Sequence, residues 1–134
     1  MIRVGKQLWS LRGLTAVYFL YTLIWIPLEG NLRRAVGMGV ATTAVLLAHG
    51  WRRYGAGRGV SWGWWLAKTA VFGLLFGVGS SLLTLLAMAV KTGFHAHGPE
   101  FTPAEIVWVL NQLPLWAAAG LLAGLGGGLV IGKR

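Results

Sequence analysis

Few side chains in this 134-residue chain are suited to chemistry. They are His49, His95 and His97, three glutamates (Glu29, Glu100 and Glu105), and a small set of hydroxyls and amides within apolar runs: Ser80, Ser81, Thr84, Asn111 and Gln112. Cysteine and aspartate are absent. That excludes thiolate nucleophiles, disulfides and cysteine-ligated metals or clusters. A serine nucleophile at Ser80 or Ser81 would need a neighbouring base, and neither has a histidine in its own apolar run. No catalytic residue is assigned, and the chain reads as non-enzymatic. Coupled transport usually depends on a carboxylate within the membrane, and no glutamate falls inside a long apolar run.

Metal and cofactor chemistry is equally sparse. His95 and His97, with Glu100 nearby, are alternate residues, which point to opposite sides of an extended loop. No metal site is assigned to them. A haem held by two imidazoles needs both ligands at similar depth on facing helices. His49 and the His95–His97 pair fall at opposite ends of their apolar runs, so His49 remains a candidate ligand for a pigment or haem shared with another subunit. No cofactor is otherwise expected.

These residues are set in a chain that is 56% hydrophobic and 11% charged, a balance that a water-soluble domain of this size could not bury. Uncharged stretches run over Gly13–Leu28, Ala35–Trp51, Thr69–Val90 and Ile106–Gly132. A helix needs about 20 apolar residues to cross roughly 30 Å of hydrocarbon. The third and fourth stretches meet that length. The first two are short and need the stems of Arg12, Arg34 and Arg52 to reach the headgroups. The expected architecture is an all-α membrane bundle of four spans, at about 11–28, 35–51, 68–90 and 105–131. The first two form a tight hairpin across Glu29–Arg34, and an outer loop covers 91–104. The whole chain reads as a single transmembrane domain. Met1–Lys6 is basic and precedes an apolar run, but no small-x-small cleavage pattern follows Leu28, so the first segment is expected to be retained.

Charge sets the expected orientation. With the N-terminus in the cytoplasm, nine basic residues lie inside (Arg3, Lys6, Arg12, Arg52, Arg53, Arg58, Lys68, Lys133, Arg134) and three outside (Arg33, Arg34, Lys91). This bias puts both termini in the cytoplasm, in a cell inner or plasma membrane. All three glutamates then lie outside, and the net positive charge of +9 faces anionic headgroups. The basic residues occur in short clusters between apolar runs, which argues against nucleic acid as the partner. Trp9, Trp51, Tyr54, Trp62, Trp64 and Trp65 gather near the inner interface, and Trp25 and Trp108 near the outer one.

Local signals refine the boundaries. The linker Tyr54–Gly59 is glycine-rich, Ser61–Lys68 is expected to be an interfacial half-turn, and Gly98-Pro99 marks a turn. Thr102-Pro103-Ala104-Glu105 combines a threonine N-cap, a proline at the first helical position and a glutamate closing a capping box. Lys68 is expected to snorkel from the start of the third span.

The sharpest pattern is Gly120, Gly124, Gly128 and Gly132, a row of small residues along one helix face. Gly73, Gly77 and Ser81 repeat it in the third helix, and Gly37 and Ala41 in the second. Such rows pack within one chain or present a groove to a partner. Pro114 frees a carbonyl near Leu110, which Asn111 and Gln112 would satisfy in a local kink, or with which they would form a small polar site. The sequence thus favours an accessory or assembly subunit that packs on a membrane partner or on itself through its glycine-lined helices. An oligomeric channel or small-solute transporter lined by Asn111, Gln112, Ser80, Ser81 and Thr84 comes second, and a cofactor-binding subunit using His49 third.

Overall fold

The computed structural model describes residues 4–54, 61–94 and 98–131, with side chains from Ser10 onward. They form four helices: α1 (Val4–Trp25), α2 (Leu32–Tyr54), α3 (Trp62–Phe94) and α4 (Pro103–Ile131). Each boundary has a local cause. The capping box forms at α4: the Thr102 amide and hydroxyl donate to Glu105 Oε2 at 2.8 and 3.0 Å, and the Glu105 amide donates to Thr102 Oγ1 at 3.3 Å. At α2 the Asn31 Oδ1 accepts from the Arg33 amide at 2.9 Å, a cap that the sequence reading passed over. Gly98, at φ +110°, supplies the left-handed backbone of the turn before α4.

Some boundaries differ from expectation. α1 stops at Trp25, and residues 26–28 form a turn. The half-turn expected at Ser61–Lys68 is instead the start of a continuous α3, because Ser61 supplies a carbonyl to the Trp65 amide at 2.9 Å and Trp62 opens the helix. α3 also runs through Lys91 to Phe94, so Lys91 belongs to a helix and not to the outer loop. Pro114 lies inside an unbroken α4. The linker at 55–60 lies outside the described residues.

Among the described residues, α3 and α4 are the two helices long and apolar enough to cross a membrane. Their most apolar 18-residue stretches are only 28% and 11% buried. A core helix of a water-soluble protein would hide that surface, whereas here it faces outward, as a lipid solvent permits.

The helices lie side by side in chain order, each antiparallel to the one before it. The most extensive contact joins α3 to α4, a smaller one joins α2 to α3, and α1 touches α2 lightly. Small residues explain the first contact. A Cβ on Gly73 would overlap the carbonyl oxygen of Gly120 and come within 2.8 Å of the Gly124 Cα; one on Gly77 would strike the Trp116 carbonyl. Gly120 and Gly124 face the backbone of α3 in return, at Gly73 and Thr69. With no side chain between them, the two backbones meet directly, gaining dispersion contact and weak Cα–H hydrogen bonds, the kind of contact that holds helices together in a lipid solvent. α2 approaches α3 on the same terms, with Gly39 against Thr84 and Ser80 and Gly79 against Thr43.

This geometry separates glycines that hold the fold from those that do not. Gly73→Leu is expected to destabilise the protein by at least the roughly 1–3 kcal/mol typical of overpacked cores, since rigid backbone cannot yield. Gly126, which has nothing within 4 Å of its absent Cβ, should tolerate alanine with no loss, or with a gain of up to about 1 kcal/mol in helix propensity. Thermal unfolding of the two variants in detergent, followed by circular dichroism, checks both.

Candidate functional site

The largest concentration of polar chemistry lies at the end of the molecule where α1 and α3 finish, around Lys91. Its side chain is buried, with 1% relative exposure. The ammonium donates to the carbonyl oxygens of Trp25 at 3.1 Å and Ile26 at 3.2 Å, and also to that of Leu28. These carbonyls belong to the C-terminal end of α1 and the turn after it, where a helix leaves its last carbonyls unpaired and carries negative partial charge. Lys91 therefore caps a helix 66 residues away in sequence. Glu100 lies 3.8 Å from the same ammonium, and the Trp25 ring centre is 4.5 Å from it. Carbonyl dipoles, a carboxylate and an aromatic face together replace the water that a charged group loses on burial.

The surroundings hold this cluster in place. Trp25, Ala35, Met38, Met88, Phe101 and Val109 form the buried apolar core of the described residues, drawn from all four helices and the loop before α4. Gly30 lets the turn after α1 lie against Glu100, whose Cβ would be 2.8 Å from a side chain there. Sequence reading placed Lys91 among the outward basic residues. Its available signal was a lysine in the last turn of an apolar helix with a glutamate nine residues on, which is also the pattern of a snorkelling residue.

A different chemistry joins α1 to α2. Thr15 Oγ1 donates to the Leu11 carbonyl at 2.8 Å and lies 2.9 Å from His49 Nε2. With that proton given to Leu11, the Thr15 oxygen offers His49 an acceptor. Thr42 donates to the Met38 carbonyl at 2.7 Å, and by the same reasoning Tyr18 donates its phenol proton to Thr42 Oγ1 at 2.6 Å. A ligand at His49 would have to take Nδ1 or displace Thr15. His95 and His97 lie outside the described residues.

The candidate polar lining does not converge on one cavity. Ser80 and Thr84 are buried against α2, and their hydroxyls donate to carbonyls of their own helix, those of Phe76 and Ser80. Ser81 is fully buried, with its hydroxyl lacking a hydrogen-bond partner among the described residues; the α3–α4 register sets it level with Gln112 and Leu113. Asn111 is exposed and Gln112 half-buried. Lys68 is half-buried.

The glycine rows of α3 and α4 are occupied from within, whereas Gly37 on α2 has nothing within 4 Å of its absent Cβ. Gly120, Gly124 and Gly128 face Gly73, Thr69 and Leu66, and Gly77 faces Trp116 and Ala117; Gly132 lies outside the described residues. A larger depression of about 620 Å³ lies nearer the Lys91 end, bounded by Leu85, Met88, Phe101, Ile106 and Leu110, and a second is the cleft over α3 between α2 and α4. It has a volume of about 340 Å³ and is bounded by Val36 and Val40 on one side and by Ala119 and Ala123 on the other, with Phe76 and Gly77 on its floor. Its lining is almost wholly apolar. At the opposite end from Lys91, the Trp65 indole donates to the Gly128 carbonyl at 2.9 Å, and Trp51 packs edge-on against Trp65 and Phe72. This contact ties the start of α3 to the last turn of α4.

Removal of the Lys91 ammonium should take a nearby cation from the Glu100 carboxylate and a donor from the helix-end carbonyls. Lys91→Met is expected to cost about 3–5 kcal/mol, as for other buried pairs that lose one partner. Lys91→Met/Glu100→Gln should cost less than the single variant, because no uncompensated carboxylate remains. Denaturant titration in detergent measures both. The absence of native cysteine allows a lone Leu28→Cys to report by thiol labelling whether the end of α1 has come loose.

Comparison with models of known protein families, with curated proteins and with solved structures finds no match.

Proposed function

We propose that this protein is a non-enzymatic accessory subunit of a membrane assembly, spanning the bilayer four times with both ends in the cytoplasm. It receives a transmembrane helix of its partner in the cleft between α2 and α4. The observation that carries this reading is the cleft itself: an open, apolar depression of about 340 Å³ at the middle of α3, edged by the small side chains of Ala119 and Ala123. Small residues permit close approach of another helix in lipid, and the cleft is where the row of four helices leaves α3 uncovered.

Register supports four crossings. α2 meets α3 at three levels, Gly39 with Thr84, Thr43 with Gly79 and Trp51 with Phe72, so a spanning α3 carries α2 with it at the same depth. α1 follows α2 through Thr15–His49 and Tyr18–Thr42 and reaches Lys91 with its far end. Four antiparallel helices return the chain to its starting side, and the basic excess at that side supports a cytoplasmic location.

The test is purification from native membranes in mild detergent. The protein is expected to bring down a larger membrane partner, or a second copy of itself, and Ala123→Trp, which fills the cleft, should release it while leaving the fold intact. Gly124→Leu is unsuited to this purpose, because Gly124 faces Thr69 and Gly73 within the chain. Recovery of a lone chain, or an association unchanged in Ala123→Trp, would remove the cleft as a docking face.

A further inference from the structure

We propose that the seam between α1 and α2, at the end away from Lys91, binds the phosphate of an anionic phospholipid headgroup. The inference rests on the membrane reading above but not on the partner or the cleft. The bond between Thr15 and His49, at 2.9 Å, fixes which residues face each other across this seam. Three residues further toward the same end are Arg12 on α1 and Arg52 on α2, with Arg53 beside it. Positions three or four apart share a helix face and lie about 5 Å along the axis. The register thus gathers three guanidinium groups just beyond the Thr15–His49 pair.

All three arginines are exposed, and no ion pair involves them among the described residues. The three glutamates are all elsewhere: Glu29 follows α1, Glu100 precedes α4 and Glu105 lies in its first turn, around the Lys91 end. Lys68, near the start of α3, adds a fourth cation to the arginine end. Like charges thus converge on a seam more lightly packed than α2–α3 or α3–α4, one that two side-chain hydrogen bonds hold. Their repulsion opposes the α1–α2 contact until an anion lies between them. A phosphate suits the place, because it accepts paired hydrogen bonds from arginine forks and spreads its charge over several oxygens. The neighbouring aromatics select a lipid source over free phosphate: Trp62 and Trp64 are 44% and 65% exposed at the same end, and exposed indoles favour the headgroup region of a bilayer.

The experiment uses the full chain, purified in mild detergent and offered equal amounts of phosphatidylglycerol and phosphatidylcholine, with retained lipid read by native mass spectrometry. The protein is expected to retain phosphatidylglycerol preferentially. Arg12→Gln/Arg52→Gln should lower that retention by roughly 10- to 30-fold. Arg33→Gln/Arg34→Gln, at the opposite end, should leave it unchanged. If the glutamine pair fails to fold, Arg12→Lys/Arg52→Lys keeps the charge and loses the paired hydrogen bonds, and should show a smaller fall in the same direction.

Equal retention of both lipids, or an equal fall in both glutamine pairs, would overturn the proposal. Displacement of the lipid by millimolar inorganic phosphate would give the site to a free anion and overturn the lipid assignment. A chain that stays in carbonate-washed membranes yet retains no phosphatidylglycerol overturns this inference alone. Release by carbonate overturns it together with the membrane reading.

Discussion

The direct meeting of two backbones, α3 and α4, is the constraint to which the rest of the structure conforms. A side chain larger than hydrogen at Gly73, Gly77, Gly120 or Gly124 would meet carbonyl oxygen or main-chain carbon of the facing helix. In water such a pair would be held by apolar side chains leaving solvent. Between helices in lipid that force is absent, and close approach, summed over many weak contacts, takes its place. The outward faces of both helices are then free to be apolar, as the exposure of Leu75, Leu82, Leu122 and Val130 illustrates.

Away from this axis the kind of interaction changes step by step. α2 joins α3 through a mixture, with Gly39 and Gly79 allowing close approach and Thr43 and Thr84 turning their hydroxyls onto carbonyls of their own helices. Gly13 of α1 faces no neighbour, with nothing within 4 Å of its absent Cβ. The helix is attached by directional groups: two side-chain hydrogen bonds to α2 and the Lys91 ammonium at its end. The back-bonded threonines matter here. A hydroxyl that has given its proton to its own helix offers its neighbours an acceptor, as Thr15 does at His49 and Thr42 at Tyr18.

Much of this arrangement was legible in the sequence, and the remainder was hidden for definite reasons. Four helices follow from four uncharged runs, and the start of α4 follows from Thr102, Pro103 and Glu105, because those signals act within one turn. The small-residue rows could be read, but not what fills them: a row of glycines presents the same spacing to its own chain as to a partner. Lys91 reads as the first residue of the outer loop because it ends the third uncharged run, and a charge there marks the edge of a span. Its real partners, the carbonyls of Trp25, Ile26 and Leu28, lie more than 60 residues away and are backbone atoms. Sequence identity carries no trace of a backbone acceptor. The polar candidates Ser80, Ser81, Thr84, Asn111 and Gln112 looked like one set because they are close in hydropathy and depth. The fold disperses them, since Ser80 and Thr84 lie against α2 at Gly39, Ser81 lies level with Gln112 of α4, and Asn111 is exposed.

The two ends of the molecule solve opposite electrostatic problems with the same element. At one end the terminal carbonyls of α1 are a concentration of negative partial charge, and α3 meets them with a buried cation balanced by Glu100. At the other, α1 brings Arg12 beside Arg52 and Arg53, with Lys68 nearby, and the described part of the chain supplies no carboxylate to any of them. α1 is therefore fastened where charge is complementary, with Trp25 buried in the core at that end, and Tyr18–Thr42 and Thr15–His49 join it to α2 toward the other. Because α1 packs on α2 less extensively than α2 on α3 or α3 on α4, the charges at its ends weigh more in its placement. An anion supplied from outside the chain then acts on a helix that packing holds lightly.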